Sequence, residues 1–466
     1  MATSRLLISG GAVISMDPKI GDFVEADVLV VDGKIAEIGP NLEVGDAETF
    51  DASECIVMPG LIDTHRHTWQ APWRNIGGDW TLFHYLKGLH TGLSKHYRPE
   101  DTYAGNLLGT LEALDSGITT LLDWSHNLRT PQHADAAVEG LRDSGARTVF
   151  AHGGGADQWG VVPGNTNPHP QDARRVRDQY FSSNDGLMTM SLALRGPQFT
   201  TDEVSELDWQ LARELDLPIT VHVGDGELGK TRPIEWLNSR GLLDQTTTFV
   251  HCNTLGDDEL VLIADSGGTA SVSAAVEMQM GHGWPATGRL LDHGIRPSLS
   301  IDVCSAIGGD MFSAMRATLL SQRAIDNAAV EAAGASLINE DLRLACRDVL
   351  EFATIEGARA VGLDHKTGSL TPGKDADVII LRTDSLAMTP LNNPIAAVVY
   401  NAHGGMVDSI LVAGEFVKRD GVLVNADVDK VRQLANDTRD YLLQQALGDE
   451  GIADISLDGS WRPKWA

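Results

Sequence analysis

Apolar residues along the chain fall into short runs, and the spacing between runs changes twice. Over residues 4–58 the runs are closely set: Leu6-Leu7-Ile8, Ala12-Val13-Ile14, Val28-Leu29-Val30-Val31 and Lys34-Ile35-Ala36-Glu37-Ile38. Each has strand length. Asp32-Gly33, between the last two, predicts a hairpin with a type I′ turn. From residue 60 to about 362, runs of strand length alternate with stretches of helical spacing. Leu61-Ile62, Thr119-Thr120-Leu121-Leu122, Thr148-Val149-Phe150, residues 187–194, Ile219-Thr220-Val221, Thr248-Phe249-Val250, Ala270-Ser271-Val272 and Pro297-Ser298-Leu299-Ser300-Ile301 read as eight strands. Between them, segments such as 207–215 and 260–264 repeat at the helical period. This alternation predicts an α/β fold with parallel strands, and eight of them predict a closed (β/α)8 TIM-like barrel. An open doubly wound sheet fits the same pattern. Beyond Gly357-Ala358-Arg359-Ala360 the β character returns, with strands expected at Asp377-Val378-Ile379-Ile380-Leu381, Ala396-Ala397-Val398-Val399-Tyr400 and Ser409-Ile410-Leu411-Val412, and a turn at Gly414-Glu415. The expected division is a small composite β-sandwich domain from residues 1–59 and 363–425, a barrel over 60–362, and a C-terminal helix (427–447) with its extension within 426–466. No internal repeat or low-complexity segment interrupts it.

Composition narrows the function without choosing it. Among 466 residues, 42% are hydrophobic, enough for a large core. Lys and Arg number 36 against 65 Asp and Glu, a formal charge of -29, which disfavours phosphate backbones and anionic membranes as partners. Cys55, Cys252, Cys304 and Cys346 are scattered and form no C-x-x-C pair, so neither a disulfide framework nor a zinc knuckle is indicated. Residues 1–20 lack a basic region followed by an apolar one, and no run approaches about 18 apolar residues. A soluble cytoplasmic protein acting on a small molecule is expected, with homo-oligomerisation through 427–466.

Candidate chemistry collects at the ends of the predicted strands. Residues i and i+2 of a strand share a face, so His65 and His67 of Thr64-His65-Arg66-His67 present two imidazoles together, a pairing that suits a divalent transition metal. In an α/β barrel the reacting groups sit at the C-terminal strand ends. Strand five ends in His222, strand six in His251 and strand eight in Asp302. One such residue alone is more often a satisfied polar group; their concurrence favours a site. Trp69, Gln70, Trp73, Trp80, His84 and Trp159 lie just beyond strand ends and are candidates for the wall of a substrate pocket. Core packing explains tryptophans of this density equally well. His282, in a Gly-rich loop, is a candidate substrate contact.

At these residues the chain resembles the amidohydrolase superfamily, in its branch of triazine hydrolases, cytosine deaminases and S-adenosylhomocysteine deaminases. Pro59-Gly60-Leu61-Ile62-Asp63-Thr64-His65-Arg66-His67 matches the opening motif. Gly281-His282-Gly283-Trp284-Pro285 through Leu299-Ser300-Ile301-Asp302 is similar to the approach to strand eight. Gly368-Ser369-Leu370-Thr371-Pro372-Gly373-Lys374-Asp375-Ala376-Asp377 is similar to the closing motif. The resemblance implies one divalent metal on His65, His67, His222 and Asp302, with zinc first and Fe, Co or Mn also suited to the donors. Binuclear relatives bridge two ions with a residue of strand four; here that strand runs into Arg195-Gly196-Pro197. The resemblance further implies that Asp302 handles the proton of an attacking water and that His251 polarises or protonates the electrophile. Family deaminases carry Glu three residues after the strand-five histidine, to protonate a ring nitrogen. This chain has Asp225 there, one methylene shorter, with Glu227 further on. That departure favours a carbonyl substrate, and Glu277-Met278-Gln279-Met280-Gly281-His282-Gly283 resembles phenylurea and thiocarbamate hydrolases.

Gly224-Asp225-Gly226-Glu227-Leu228-Gly229-Lys230-Thr231 also satisfies the pattern of a phosphate-binding loop. Two carboxylates inside the cradle and Pro233 near the start of the following helix argue against a nucleotide. G-x-S-x-G, H-E-x-x-H and the zinc-deaminase pair H-x-E with P-C-x-x-C are missing from the sequence. The expectation is a metal-dependent hydrolase of a non-peptide carbon–nitrogen bond in a small apolar amide, urea or carbamate. The alternatives are a deaminase or dechlorinase of an N-heterocycle, a phosphate-loop protein, and a non-catalytic barrel.

Overall fold

The structure, a computed structural model, describes residues 4–155, 163–335 and 342–446. Strands β1 (Arg5–Ile14), β2 (Asp22–Val31), β3 (Lys34–Gly39), β4 (Glu48–Asp51) and β5 (Cys55–Pro59) precede the barrel. The two apolar runs at 6–8 and 12–14 are one strand, kept continuous through Gly10 and Gly11 by a shift in register against β2. The β2–β3 hairpin turns at Asp32 (φ 49°) and Gly33 (φ 79°), both left-handed as the Asp-Gly pair predicts.

All eight barrel strands are present: β6 (Leu61–Arg66), β7 (Ile118–Ser125), β8 (Arg147–His152), β9 (Met188–Leu194), β10 (Ile219–Val223), β11 (Thr247–His251), β12 (Thr269–Val272) and β13 (Ser298–Leu299). They pair in parallel and in sequence order. The ring closes between β13 and β6. Thr64 Oγ1 lies 2.8 Å from Ser298 Oγ and donates to the Leu299 carbonyl at 3.0 Å. Just above, the Asp302 amide donates to the His65 carbonyl at 2.9 Å and the His67 amide to the Asp302 carbonyl at 2.8 Å. Closure therefore brings the eighth strand's carboxylate beside the first strand's imidazoles. This is the closed barrel, not the open doubly wound sheet.

After the barrel, β14 (Val378–Arg382), β15 (Val407–Val412), β16 (Glu415–Arg419) and β17 (Val422–Leu423) return to the N-terminal strands. The mixed sheet runs β17-β16-β15-β14-β5-β1-β2-β3, with β4 beside β1. It encloses its own apolar cluster, including Ile8, Val28, Val57, Val378, Ile380 and Leu411. Two ends of one chain thus build one unit, as the two β-rich stretches imply. The expected strand at 396–400 is instead part of a helix, Pro394–Tyr400. Proline occupies its first turn and the Asn393 side chain accepts from the Ala396 amide at 3.1 Å. An apolar run of five cannot separate the two periods; the cap before it decides.

The C-terminal helix spans Val428–Ala446, and residues 447–466 lie outside the described residues. Its apolar face is used within the chain: Leu442, Leu443 and Ala446 pack with Trp69, Trp73 and Trp80. Thr438 Oγ1 donates to Asp101 Oδ1 at 3.0 Å. No described helix is long and apolar enough to cross a membrane.

Candidate metal centre

The barrel mouth gathers His65 and His67 from β6, His222 from β10, His251 from β11 and Asp302 after β13. Nε2 atoms of His65 and His222 lie 3.1 Å apart, and those of His65 and His67 each lie 3.4 Å from Asp302 Oδ1. His67 Nδ1 donates to the Trp124 carbonyl at 3.0 Å, so the proton of that ring sits on Nδ1 and Nε2 faces the Asp302 carboxylate bare. Two lone-pair groups held that close repel unless a cation lies between them. Burial lowers the pKa of His65 and His222 and brings His67 down to about 3, which keeps the imidazoles in the ligating form. Burial works against ionisation of Asp302, but the hydrogen bond of His65 and the charge of His251 hold its carboxyl well below the usual range. Three imidazoles and one carboxylate, with His67 oriented from behind by a backbone carbonyl, fit a divalent transition ion. Strand four ends at Leu194 and continues into buried Arg195, which provides no bridging carboxylate for a second ion.

His251 lies within ligating reach of His65 and His222, and also of Asp225 and His282. Its Nε2 is 3.8 Å from Asp302 Oδ2 and 3.9 Å from Asp225 Oδ1. Its Nδ1 is 3.2 Å from Glu277 Oε1. Burial opposes its charge, but Asp225, the Glu277 hydrogen bond and Asp302 outweigh burial and lift its pKa to about 9. Glu277 is fully buried and also accepts from the Ser273 amide at 2.8 Å and Asn253 Nδ2 at 3.1 Å, so it is rigid. Both His251 (φ 77°) and Asp302 (φ 64°) hold left-handed backbone conformations that non-glycine residues rarely adopt. Strain of this kind clusters at functional sites.

The pocket above these groups encloses about 890 Å3, part of it open to solvent. His67, His222, Asp225, His251, His282 and Asp302 line its floor, and Leu82, Leu86, Phe199, Leu228, Met280 and Val303 form much of its wall. His282 is in the pocket as expected, its Nδ1 3.9 Å from Asp225 Oδ1. The proposed tryptophan wall is not. Trp69, Trp73 and Trp80 are buried in an apolar cluster with Leu89, Leu93 and Tyr97, because the segment after β6 coils into a short helix (Thr68–Trp73) that turns them inward. Gln70 lies one layer behind the pocket: its Nε2 donates to the Tyr85 hydroxyl at 2.6 Å, and Tyr85 lines the cavity. His84 closes a helix start, its Nδ1 2.9 Å from Thr81 Oγ1. Trp159 lies outside the described residues.

Sequence reasoning missed Tyr85, His90, Trp124, His126 and Arg195 of the pocket, and the role of Glu277. Strand two was read as ending at Leu122; it runs to Ser125, so Trp124 and His126 belong to its C-terminal end. The phosphate-loop pattern is a short 3-10 turn, Gly226–Thr231. Its Gly226 amide is taken by the His282 carbonyl at 2.8 Å and its Leu228 amide by the Asp225 carbonyl at 3.0 Å. Two of the amides that a phosphate cradle offers are therefore already engaged.

Residues 56–417 match the amidohydrolase family, and the chain belongs to it. Within that family it is similar to the 5′-deoxyadenosine deaminase of Methanothermobacter thermautotrophicus, 29% identical over 448 residues that cover 93% of this chain and 98% of the relative. The 5′-deoxyadenosine deaminase of Methanopyrus kandleri is 26% identical, over 94% of this chain and 99% of its own length. In three dimensions it resembles a zinc-bound adenosine deaminase from Xanthomonas campestris (TM-score 0.82, 22% identity, 95% of this chain and 99% of the other). A mutant of atrazine chlorohydrolase TrzN from Arthrobacter aurescens TC1, complexed with zinc and atraton, is equally similar (TM-score 0.82, 22% identity, 93% and 100%). The chain is a metal-dependent hydrolase of carbon–nitrogen bonds, and its imidazole and carboxylate donors suit a divalent transition ion. By name these relatives are deaminases and a chlorohydrolase, and none is a hydrolase of an amide, urea or carbamate.

Proposed function

We propose that this enzyme hydrolytically deaminates an amino-substituted N-heterocycle, with His65, His67, His222 and Asp302 holding one zinc ion. The observation that carries the reading is Asp225. Although shorter than the family glutamate, its carboxylate lines the pocket, and its buried Oδ1 has no hydrogen-bond partner. A ring nitrogen that shares a proton with the carboxyl gives that oxygen a partner. The Asp-for-Glu departure therefore weighs less against deamination than the sequence alone suggests.

Held by these donors, a divalent cation lends Lewis acidity, which lowers the pKa of water from 15.7 towards about 7. Asp302 turns Oδ1 to the histidines, leaving Oδ2 to accept the proton of the attacking water. Asp225 delivers a proton to the ring nitrogen next to the amine-bearing carbon, so that carbon accepts the water oxygen without a full negative charge on the ring. His251, charged and fixed by Glu277, steadies the oxygen as it adds. Asp302 then passes its proton to the amine, the carbon–nitrogen bond breaks and ammonia leaves; the hydroxyl proton of the added oxygen returns to Asp225, and a ring carbonyl remains. The apolar wall suits a substrate whose other substituents are small and apolar.

Ammonia release by zinc-loaded enzyme from adenosine, 5′-deoxyadenosine, cytosine and aminotriazines, beside ureas, carbamates and amides, tests this. Turnover confined to the heterocycles is expected. Turnover confined to the carbonyl compounds overturns it.

A further inference from the structure

We infer that His126 is a substrate-recognition residue whose hydrogen-bonding direction is set by Trp69, and that it reads a second acceptor atom on the heterocycle. The inference rests on the heterocycle reading but concerns an edge of the ring that the reaction does not use. His126 follows β7 at the mouth of the barrel, is buried and lines the pocket. Its ring lies 4.1 Å from that of His67 and stacks on His90 at 4.6 Å. It is thus beside the reacting centre.

The tautomer follows from its neighbours. Trp69 Nε1 lies 3.3 Å from His126 Nδ1. An indole nitrogen can only donate, so this contact is a hydrogen bond only when Nδ1 is bare. The Trp124 carbonyl is also 3.3 Å from Nδ1, but that oxygen already accepts from His67 at 3.0 Å. Trp69 is fully buried and makes no other indole hydrogen bond among the described residues, so surrendering this one strands a buried donor. The arrangement that satisfies all three groups puts the proton of His126 on Nε2. Among the described residues every hydrogen bond of the ring is made by Nδ1, which leaves Nε2–H for the ligand.

Trp69 is itself locked. Its ring packs edge-on to Tyr97 at 5.0 Å, the Tyr97 hydroxyl donates to its carbonyl at 3.1 Å, and the helix Pro99–Asp115 approaches so closely that a Cβ on Gly105 would sit 2.4 Å from that carbonyl. Trp69 is therefore a positioning residue, acting through His126 without touching the ligand. His126 selects for a ring nitrogen or carbonyl oxygen at that edge and against a C–H in the same place.

The test uses zinc-loaded protein with adenine and the deaza-adenines that each lack one ring nitrogen. Wild type should discriminate against one deaza compound by about 10–100-fold in binding, and in kcat/KM where turnover occurs. In His126→Phe that ratio should fall to about one, mainly through KM; His126→Gln, which keeps an N–H donor, should recover part of it. Trp69→Phe should lower the ratio with zinc content unchanged. Nitrogen-15 spectra of histidine-labelled wild type should show His126 as the Nε2–H tautomer, with a shift on adding adenine. An unchanged ratio in His126→Phe, or an Nδ1–H tautomer that ignores adenine, overturns the inference. Absence of turnover with every aminoheterocycle defeats the deaminase reading instead, and the spectra and binding ratios still decide the role of His126.

Discussion

Asp302 and His251 share a left-handed backbone, deep burial and a direct view of each other, yet their tasks separate by environment. Asp302 is held ionised by imidazoles; His251 is held protonated by carboxylates. Asp302→Asn keeps the shape but removes the proton acceptor, and a loss of at least ~10^3-fold in kcat is expected. His222→Ala should abolish turnover together with bound zinc, read by elemental analysis of the purified variant. Glu277→Gln tests the charge on His251. With a folded pKa raised to about 9, the protonated form persists through neutral pH and is lost as pH rises through that value. Removing the Glu277 charge lowers that pKa, so the alkaline limb of the rate profile should move to lower pH; a limb that stays put separates His251 from the rate.

At the scale of elements, the site depends on how closely the helix Pro99–Asp115 lies against the segment after β6. Gly109 meets Thr68 there as Gly105 meets Trp69, leaving no room for a methyl group. Gly105→Ala should therefore cost about 1–3 kcal/mol in stability, measured by denaturant unfolding, with activity falling more than the fraction folded. The same contact explains a failure of sequence reading. Tryptophans 69, 73 and 80 sit three to fourteen residues past the end of β6, where barrel loops usually present side chains to a ligand, but the tight short helix at 68–73 turns the first two into the core and Trp80 packs into the same cluster. Local spacing carries no information on that turn. Strand positions were legible because their apolar runs have few alternatives; strand ends were less so, and the early stop assigned to strand two hid Trp124 and His126.

Across the whole molecule, barrel and mixed sheet are joined by a buried charge cluster. Arg147, at the start of β8, donates to Asp377 Oδ2 at 2.7 Å and to Asp375 Oδ2 at 2.9 Å. Arg147→Met leaves Asp377 buried and unpaired, so a loss of about 3–5 kcal/mol is expected, seen as a lower midpoint in denaturant. Zinc should act in the opposite sense. Donors gathered from β6, β10 and the residue after β13 converge only in the folded chain, so adding zinc to chelator-treated protein should raise Tm. No such rise would detach the ion from this fold.

The order of apolar runs alone determined eight parallel strands and a composite β unit, because burial and periodicity are written residue by residue. Motif spacing likewise determined which side chains could meet a metal, since closing a barrel in sequence order puts its strand ends in one ring. Only the tertiary structure decided what those side chains face. It placed Glu277 behind His251, Trp69 behind His126 and Asp225 in the open cavity. These depend on the direction in which each loop leaves its strand, and packing against distant helices sets that direction.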